Sequence, residues 1–536
     1  MANNGGAVRT RNLVLCLDGT SNQFADKNTN VIKLFSVLDI SPGYQREGQM
    51  AYYDSGVGTY LPVGASSTWS HARQEWGKNL DLAVAWNFDD HVKNAYKWLM
   101  DYYQPDDKIY LFGFSRGAYA VRVLAGMVER IGLLPAGLHC QIPLAYDVYQ
   151  GASNRMAAKY RGIFGISREV NIHFIGVWCV LFHDGRFRFP LTVLLPRNRD
   201  TVSSLGGLSA PDLPFASAVS MVTYFRQALA LDERRVKFQP EFRRDDPGVP
   251  PDEDDVDVDC LDDDLDDDLD DGLDPNIPRN KEVWFLGVHT SVGGGHDQDN
   301  GPSLSNIPFR WMLNEAVQCG LRTGPISILQ SYAFMEIPTV QAYVQGILSA
   351  NIRAHLNPLL PGNAVRNRAL MGRIRREFTE NRRRNVIRFA AQFDTSLSNV
   401  HADAAAGLPT TTCLLQPKHE SLPGPAYFTM DYFPLGIQRR WYALDAAGNY
   451  VEHRDRWPHR GDGRYIQHGQ KIHLSVLKRA LYDQAVTAGR QPFPPVATYA
   501  PYPTITAHLA PSPGMPPTWQ GLLQFANVPL ALWEVV

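Results

Sequence analysis

Short apolar runs alternate with longer stretches of helical periodicity over the first 300 residues of the chain. The runs are typical of parallel strands buried between layers of helices, and they occupy positions 12–17, 49–53, 108–112, 171–178 and 283–288. Apolar residues at near-helical spacing predict helices over 80–103 and 118–130. This alternation predicts an α/β fold, a mainly parallel sheet covered by helices on both faces.

Polar residues stand where several of these predicted strands end. Asp18, Ser115 and His289 directly follow an apolar run, as does the segment after Trp178. In open parallel sheets, ligands bind at the carboxyl ends of the strands. We therefore expect these residues to converge on one edge of the sheet.

A serine turn joins one predicted strand to a predicted helix in the segment Gly113-Phe114-Ser115-Arg116-Gly117. Gly-x-Ser-x-Gly in this setting is the nucleophile elbow of an α/β-hydrolase, where the glycines let strand and helix pass close to a strained serine. Ser115 is therefore the candidate nucleophile, with Gly113 and Gly117 as the elbow glycines. The alternative is a glycine-lined turn that carries an ordinary serine.

A serine hydroxyl needs a base, usually a histidine that a carboxylate orients. In this fold the chain order is serine, acid, histidine. His289 is the best candidate because it directly follows a strand and lies within the glycine-rich sequence GVHTSVGGG. His296 and His183 are lesser candidates.

Six motifs resemble, in the same order, those of an uncharacterised α/β-hydrolase domain family of fungi and bacteria: CLDGTSNQF, TNVIKLF, YYDSGVGT, GFSRGAYAVR, ALALDERR and WFLGVHTSVGGG. That family is similar to the catalytic domain of type VI secretion system phospholipase effectors. The resemblance covers residues 10–325 and implies a lipase-type Ser-Asp-His site, with the serine at Ser115 and the histidine at His289. The family has an aspartate two residues after the histidine, where this chain has Ser291.

The family's catalytic acid lies in the motif Gly-Val-Trp-Asp-Thr-Val, which is interrupted in this chain after Trp178. Removing the 21 residues 179–199 restores the motif as GVW-DTVSSLG, with Asp200 as its aspartate. We therefore expect an insertion and assign the acid to Asp200, with Asp184 inside the insertion as the alternative. A retained short intron or misread splice site is the favoured origin, and a genuine lid is the other.

The oxyanion hole needs two N–H donors. The expected donors are the backbone of Arg116, which follows the nucleophile, and that of Gly19 or Thr20 after the first strand. Asp18 either braces this loop or simply forms a turn before glycine. Cys16-Leu17-Asp18-Gly19-Thr20 also resembles the haloacid-dehalogenase pattern, but Cys16 replaces the nucleophilic aspartate, which excludes that phosphatase chemistry.

Acidic and basic residues are unevenly distributed along the chain. Residues 252–274 hold 15 acidic residues and no basic ones, so the rest, with 40 acidic and 52 basic residues, carries +12 although the whole chain carries −3. The basic body favours anionic surfaces such as phospholipid headgroups, or it is an ordinary basic surface balanced by the acidic stretch. The basic segment 366–388 is either a membrane-surface helix or, as favoured, a helix packed on the body.

The length of 536 residues suggests a catalytic domain over 1–325 and an accessory region over 326–536, partly helical and proline-rich near its end. Dense charge predicts disorder across 240–280. Six scattered cysteines form no Cys-x-x-Cys. Neither a signal-peptide core nor a run of about twenty apolar residues occurs. These features predict a soluble, cytoplasmic protein without a signal peptide or transmembrane segment.

The sequence thus predicts a serine hydrolase of carboxylic esters, a phospholipase or lipase that requires no metal or organic cofactor. A cutinase-like or thioesterase-like esterase is one alternative. The other is a non-catalytic interaction protein or an inactive hydrolase homologue. Nucleic-acid binding is not expected, since the basic segment lacks interleaved aromatic residues, and the oligomeric state stays open.

Overall fold

The structure, a computed structural model, describes residues 10–19, 27–40, 48–56, 80–151, 154–164, 166, 170–179, 221–233, 240, 242, 277–297 and 303–324, and short C-terminal segments at 440–444, 450–454, 464–466, 470–473, 475–476, 479, 497–499 and 533–534. Thr20, His183, Asp184, Asp200 and the basic segment 366–388 lie outside the described residues. Residues 180–199 and 243–276 lie outside them too.

Twelve strands occur within these described residues. They are β1 Asn12–Leu17, β2 Gln49–Asp54, β3 Lys108–Phe114, β4 Ile172–Trp178, β5 Val222–Ala230, β6 Asn280–Phe285, β7 Arg440–Leu444, β8 Tyr450–Arg454, β9 Arg464–Ile466, β10 Lys471–His473, β11 Ala497–Tyr499 and β12 Trp533–Glu534.

Eight of the strands form one sheet, in the order β12-β10-β6-β5-β4-β3-β1-β2. Every neighbouring pair in it is parallel. Separately, β7 pairs with β8 in antiparallel fashion and β9 pairs with β11 in parallel fashion. The predicted α/β fold is therefore confirmed.

The described helices are α1 Asn30–Val37, α2 Leu80–Tyr102, α3 Arg116–Ile131, α4 Ile142–Gly151, α5 Asn154–Ile163, α6 His289–Gly293 and α7 Asn306–Gln318, with a 3₁₀ turn at His139–Gln141. None of them combines the length and hydropathy needed to cross a bilayer. The cytoplasmic location stays a prediction.

Two hydrophobic layers lie on opposite faces of the sheet, because successive side chains of a strand point to opposite sides. From β1, Val14 and Cys16 enter the layer that contains residues of α1 and α7. Leu13, Leu15 and Leu17 enter the layer built from α2 to α5. Helices therefore cover both faces, as predicted.

The sequence did not predict β5, although all nine of its residues are buried. Its Arg226 and Gln227 interrupt the apolar pattern. Arg226 is paired with Glu315 of α7, at 2.5 Å between Nε and Oε2, and Lys281 Nζ lies 2.9 Å from Glu315 Oε1. The Arg226 guanidinium is thus buried with a charged partner from elsewhere in the chain.

The C-terminal region contributes to the same sheet, since β10 pairs with β6 and β12 pairs with β10. The division into a catalytic domain over 1–325 and an accessory region over 326–536 stays a prediction.

Candidate active site

Ser115 stands at the junction of β3 and α3 with a strained backbone. Its φ of 58° and ψ of −121° lie in a region that non-glycine residues rarely occupy. It occupies the N-cap position of α3, yet its hydroxyl accepts no capping hydrogen bond. Its N–H donates to the Trp178 carbonyl at 3.1 Å, which ties the turn to the end of β4. A strained strand-to-helix turn of this kind is the geometry expected of a nucleophile elbow.

The elbow glycines permit close backbone approach. A Cβ at Gly113 would lie 2.5 Å from the Gly117 carbonyl oxygen. A Cβ at Gly117 would overlap the Leu17 carbonyl and lie 2.5 Å from that of Asp18. Helix α3 therefore begins directly against the end of β1, and only glycine fits at this contact.

The loop after β1 is braced by Asp18. Its Oδ1 accepts the Gly19 N–H at 2.6 Å, and its Oδ2 accepts the Thr29 hydroxyl at 2.6 Å and the Tyr53 hydroxyl at 3.1 Å. Burial and the Asp18 carboxylate raise the pKa of Tyr53, so the phenol keeps its proton. The Gly19 N–H is thus directed at Asp18, and Thr20, the other candidate oxyanion donor on this loop, lies outside the described residues.

His289 lies where the chain leaves β6. The predicted strand over 283–288 ends at Phe285 instead, since Gly287 has a φ of +103° and turns the chain. His289 then begins the five-residue helix α6 and is 5% exposed. Its imidazole ring stacks on Phe114, with centroids 4.7 Å apart and ring planes at 29°. The candidate base thus lies against the residue that precedes Ser115.

Two carboxylates at the end of β5 hold the histidine loop. Glu233 Oε2 accepts the His289 N–H at 3.2 Å, and Asp232 Oδ2 accepts the Gly287 N–H at 2.7 Å. From the sequence, the run Leu231-Asp232-Glu233-Arg234-Arg235 is expected to be a structural ion-pair segment, and the alternative is that acids near it reach the site. The signal for this second role was their position directly after a strand, which becomes visible once β5 is recognised.

The candidate site residues lie along one edge of the sheet because β3, β4, β5 and β6 are consecutive neighbours in it. Ser115, residue 179, the Asp232–Glu233 pair and His289 follow these strands in that order. His296 is exposed, with its Nδ1 3.4 Å from Asp297 Oδ1. The candidate acids Asp200 and Asp184, and the lesser candidate His183, lie outside the described residues.

His91 and Asp54 form a histidine–aspartate pair beside the elbow, and the sequence analysis did not predict it. His91 Nδ1 is 2.8 Å from Asp54 Oδ2, and Asp54 Oδ1 accepts the Gly56 N–H at 3.1 Å. Burial alone would raise the pKa of Asp54, but His91 and the Gly56 N–H hold it below its usual range. The pair borders a small, partly open cleft lined by Leu17, Asp18, Asp54, Gly56, Phe88, His91, Arg116, Gly117 and Ala120.

Comparisons with known proteins relate this chain to a described family. The family model "T6SS, Phospholipase effector Tle1-like, catalytic domain" matches residues 11–315, more than half of the chain. "Uncharacterized protein YEL023C" of Saccharomyces cerevisiae is 32% identical over 246 residues, which cover 43% of this chain and 32% of the yeast protein. The chain thus matches about a third of that relative's length.

One solved structure, the crystal structure of an uncharacterized protein from Pseudomonas aeruginosa, is 16% identical to this chain. The alignment covers 73% of this chain and 67% of that one, with a TM-score of 0.31. A TM-score of this size does not establish a shared fold.

Proposed function

We propose a hydrolytic function for this chain, which belongs to the family of Tle1-like phospholipase effector catalytic domains of the type VI secretion system. Its reaction is the cleavage of carboxylic esters, and its substrates are phospholipids or other lipids. The observation that carries this proposal is the strained Ser115 elbow, with His289 stacked on the residue just before it.

The proposed reaction has two acyl-transfer steps. Ser115 Oγ attacks the acyl carbon while His289 takes its proton, which forms a tetrahedral intermediate. The intermediate collapses as His289 returns the proton to the leaving alcohol, and water then releases the acid from the serine by the same route. The N–H groups of Arg116 and Thr20 bind the oxyanion, with Arg116 at the positive end of α3.

Asp200 is the proposed acid that orients His289. Residue 179 stands beside the elbow, since Trp178 pairs with Phe114 across β3 and β4. Cys179 has a φ of +46°, a left-handed conformation that aspartate adopts several-fold more readily than most residues. Without residues 179–199, Asp200 would directly follow Trp178 and take this place, which supports both its assignment and the insertion hypothesis.

Deleting residues 179–199 is expected to raise the rate of ester hydrolysis by up to about 10⁴-fold, the loss associated with a histidine that lacks its orienting acid. Asp200→Asn in the shortened chain should cancel that gain, whereas Asp184→Asn in the complete chain should have little effect. The measurement is the initial rate of fatty-acid release by each purified variant.

The alternative is that residues 179–199 are a genuine lid, and it predicts a different outcome. A complete chain that matches or exceeds the shortened one, together with a large loss in Asp184→Asn, would contradict the Asp200 assignment. Sequencing the transcript gives an independent check, because a message that always retains the 63 bases for the 21 residues excludes the splicing origin.

The substrate class is tested with phospholipid vesicles and a water-soluble short-chain ester. A phospholipase releases fatty acid or lysophospholipid from the vesicles, whereas a cutinase-like esterase or thioesterase acts on the soluble substrate alone. No turnover and no fluorophosphonate labelling in either form of the chain would support the interaction-protein alternative. Peripheral contact between the basic body and an anionic lipid surface belongs to the same proposal, as does a location in the cytoplasm.

A further inference from the structure

We propose that Phe114 is a positioning residue for His289, because its ring is the surface that holds the imidazole beside Ser115. The inference rests on the proposed function and concerns the same site. Phe114 does not touch the reacting atoms in this role; it acts through the orientation of the base.

The first support is the direct stack of the two rings. Phe114 is the last residue of β3 and is 4% exposed. Its ring lies 4.7 Å from that of His289, at an interplanar angle of 29°. Since Phe114 and Ser115 are adjacent in sequence, the same strand end carries the nucleophile and the surface against which the base lies.

The second support is the fit of α6 around the Phe114 ring. His289 is the first residue of α6 and Gly293 is the last. A Cβ at Gly293 would overlap Cδ2, Cε2 and Cζ of Phe114, so the ring fills the space that any larger residue would need. Both ends of this short helix therefore contact one aromatic ring, which fixes the helix relative to β3.

The third support is that two carboxylates already hold the backbone of the histidine loop. Glu233 accepts the His289 N–H and Asp232 accepts the Gly287 N–H. With the backbone held in this way, the orientation of the imidazole depends on the side-chain torsions of His289, and Phe114 packs directly on that ring. A stacked neighbour restricts that rotation, and its π face also attracts the imidazolium that forms during the reaction.

The test compares Phe114→Leu with Phe112→Leu. Phe112 is a matched control because it lies two residues earlier on the same face of β3, is fully buried and packs on Phe174 and Trp178 rather than on His289. We expect Phe114→Leu to lower kcat about 10²-fold with little change in KM, the loss that a misplaced catalytic group produces. Phe112→Leu should lower the unfolding temperature but leave kcat within about threefold, since its ring packs on Phe174 and Trp178 rather than on the proposed base.

Rescue by a conservative variant separates positioning from packing. Phe114→Tyr keeps the aromatic ring and is expected to restore most of kcat, while Phe114→Met fills the space without a ring and should stay as slow as Phe114→Leu. If Phe114→Leu does not fold, Phe114→Met provides the same comparison. Each variant is made in whichever form of the chain, complete or without 179–199, hydrolyses ester faster.

The outcomes distinguish this inference from the proposed function. The role of Phe114 is overturned if the parent chain labels with a fluorophosphonate and a Phe114→Leu or Phe114→Met variant labels and turns over equally fast. That result would leave the proposed function standing. An equal loss of kcat in Phe112→Leu also overturns it, because packing would then explain the effect. A parent chain that neither labels nor hydrolyses contradicts the proposed function itself.

Discussion

Ser115→Ala, made in whichever form of the chain (complete or without 179–199) hydrolyses ester faster, is expected to lower ester hydrolysis about 10⁴-fold or more, because the chain then lacks the atom that forms the acyl intermediate. The strained backbone at this position is already supported by the β3–α3 junction, so alanine should leave the fold intact. The measurement is the initial rate of fatty-acid release, with circular dichroism to confirm folding.

Ser36→Ala is the control for this substitution. Ser36 is an exposed serine of α1 whose hydroxyl donates to the Lys33 carbonyl at 2.8 Å, far in the chain from the elbow. It should retain the parent rate. Similar rates for Ser115→Ala and Ser36→Ala would contradict the assignment of the nucleophile.

Glu315→Ala is expected to destabilise the fold by about 3–5 kcal/mol, the cost of leaving a buried charge without its partner. Arg226 is completely buried, and Glu315 accepts both Arg226 Nε and Lys281 Nζ. Urea unfolding of the two proteins measures the difference. Asp101→Ala is the control because the Asp101–His139 pair is exposed, and its loss should cost less than about 1 kcal/mol.

The same network of Arg226, Lys281 and Glu315 predicts that the stability of the fold depends on pH. Burial alone would raise the pKa of Glu315, but Arg226 and Lys281 hold it below its ordinary value. The carboxylate therefore contributes stability that is complete above its unfolded pKa of about 4.3 and is lost as the pH falls through its folded pKa. The stability gap between the parent and Glu315→Gln should accordingly narrow below about pH 4, and a gap that is constant down to acidic pH would contradict this assignment.

Strands β1, β2, β3 and β6 could be predicted because each has an apolar run that ends at a polar residue or glycine, and β4 could be predicted from its apolar run alone. Strand β5 could not, since the partner that compensates the buried charge of Arg226 lies 89 residues away on α7. Strands β10 and β12 have three and two residues, which is too short for an apolar pattern to be recognised in the sequence. Their place in the sheet depends on pairing with β6 across a long stretch of chain.

The candidate site shows the same division between local and non-local information. The elbow and the histidine loop have local signatures of glycine around Ser115 and His289. The roles of Phe114 and Glu233 arise only from the order of β3, β5 and β6 in the sheet, which no local motif encodes. The sequence thus indicated the candidate reacting residues, whereas the contacts that hold the histidine required the structure.

The central claim is that Ser115 is the nucleophile of a serine hydrolase, and mapping a covalent adduct tests it most directly. The chain is incubated with a fluorophosphonate, digested and examined by tandem mass spectrometry to locate the modified residue. We expect one adduct on Ser115, absent from the Ser115→Ala variant and strongly slowed in His289→Ala. An adduct on another residue, or none in either the complete chain or the chain without 179–199, would contradict the claim.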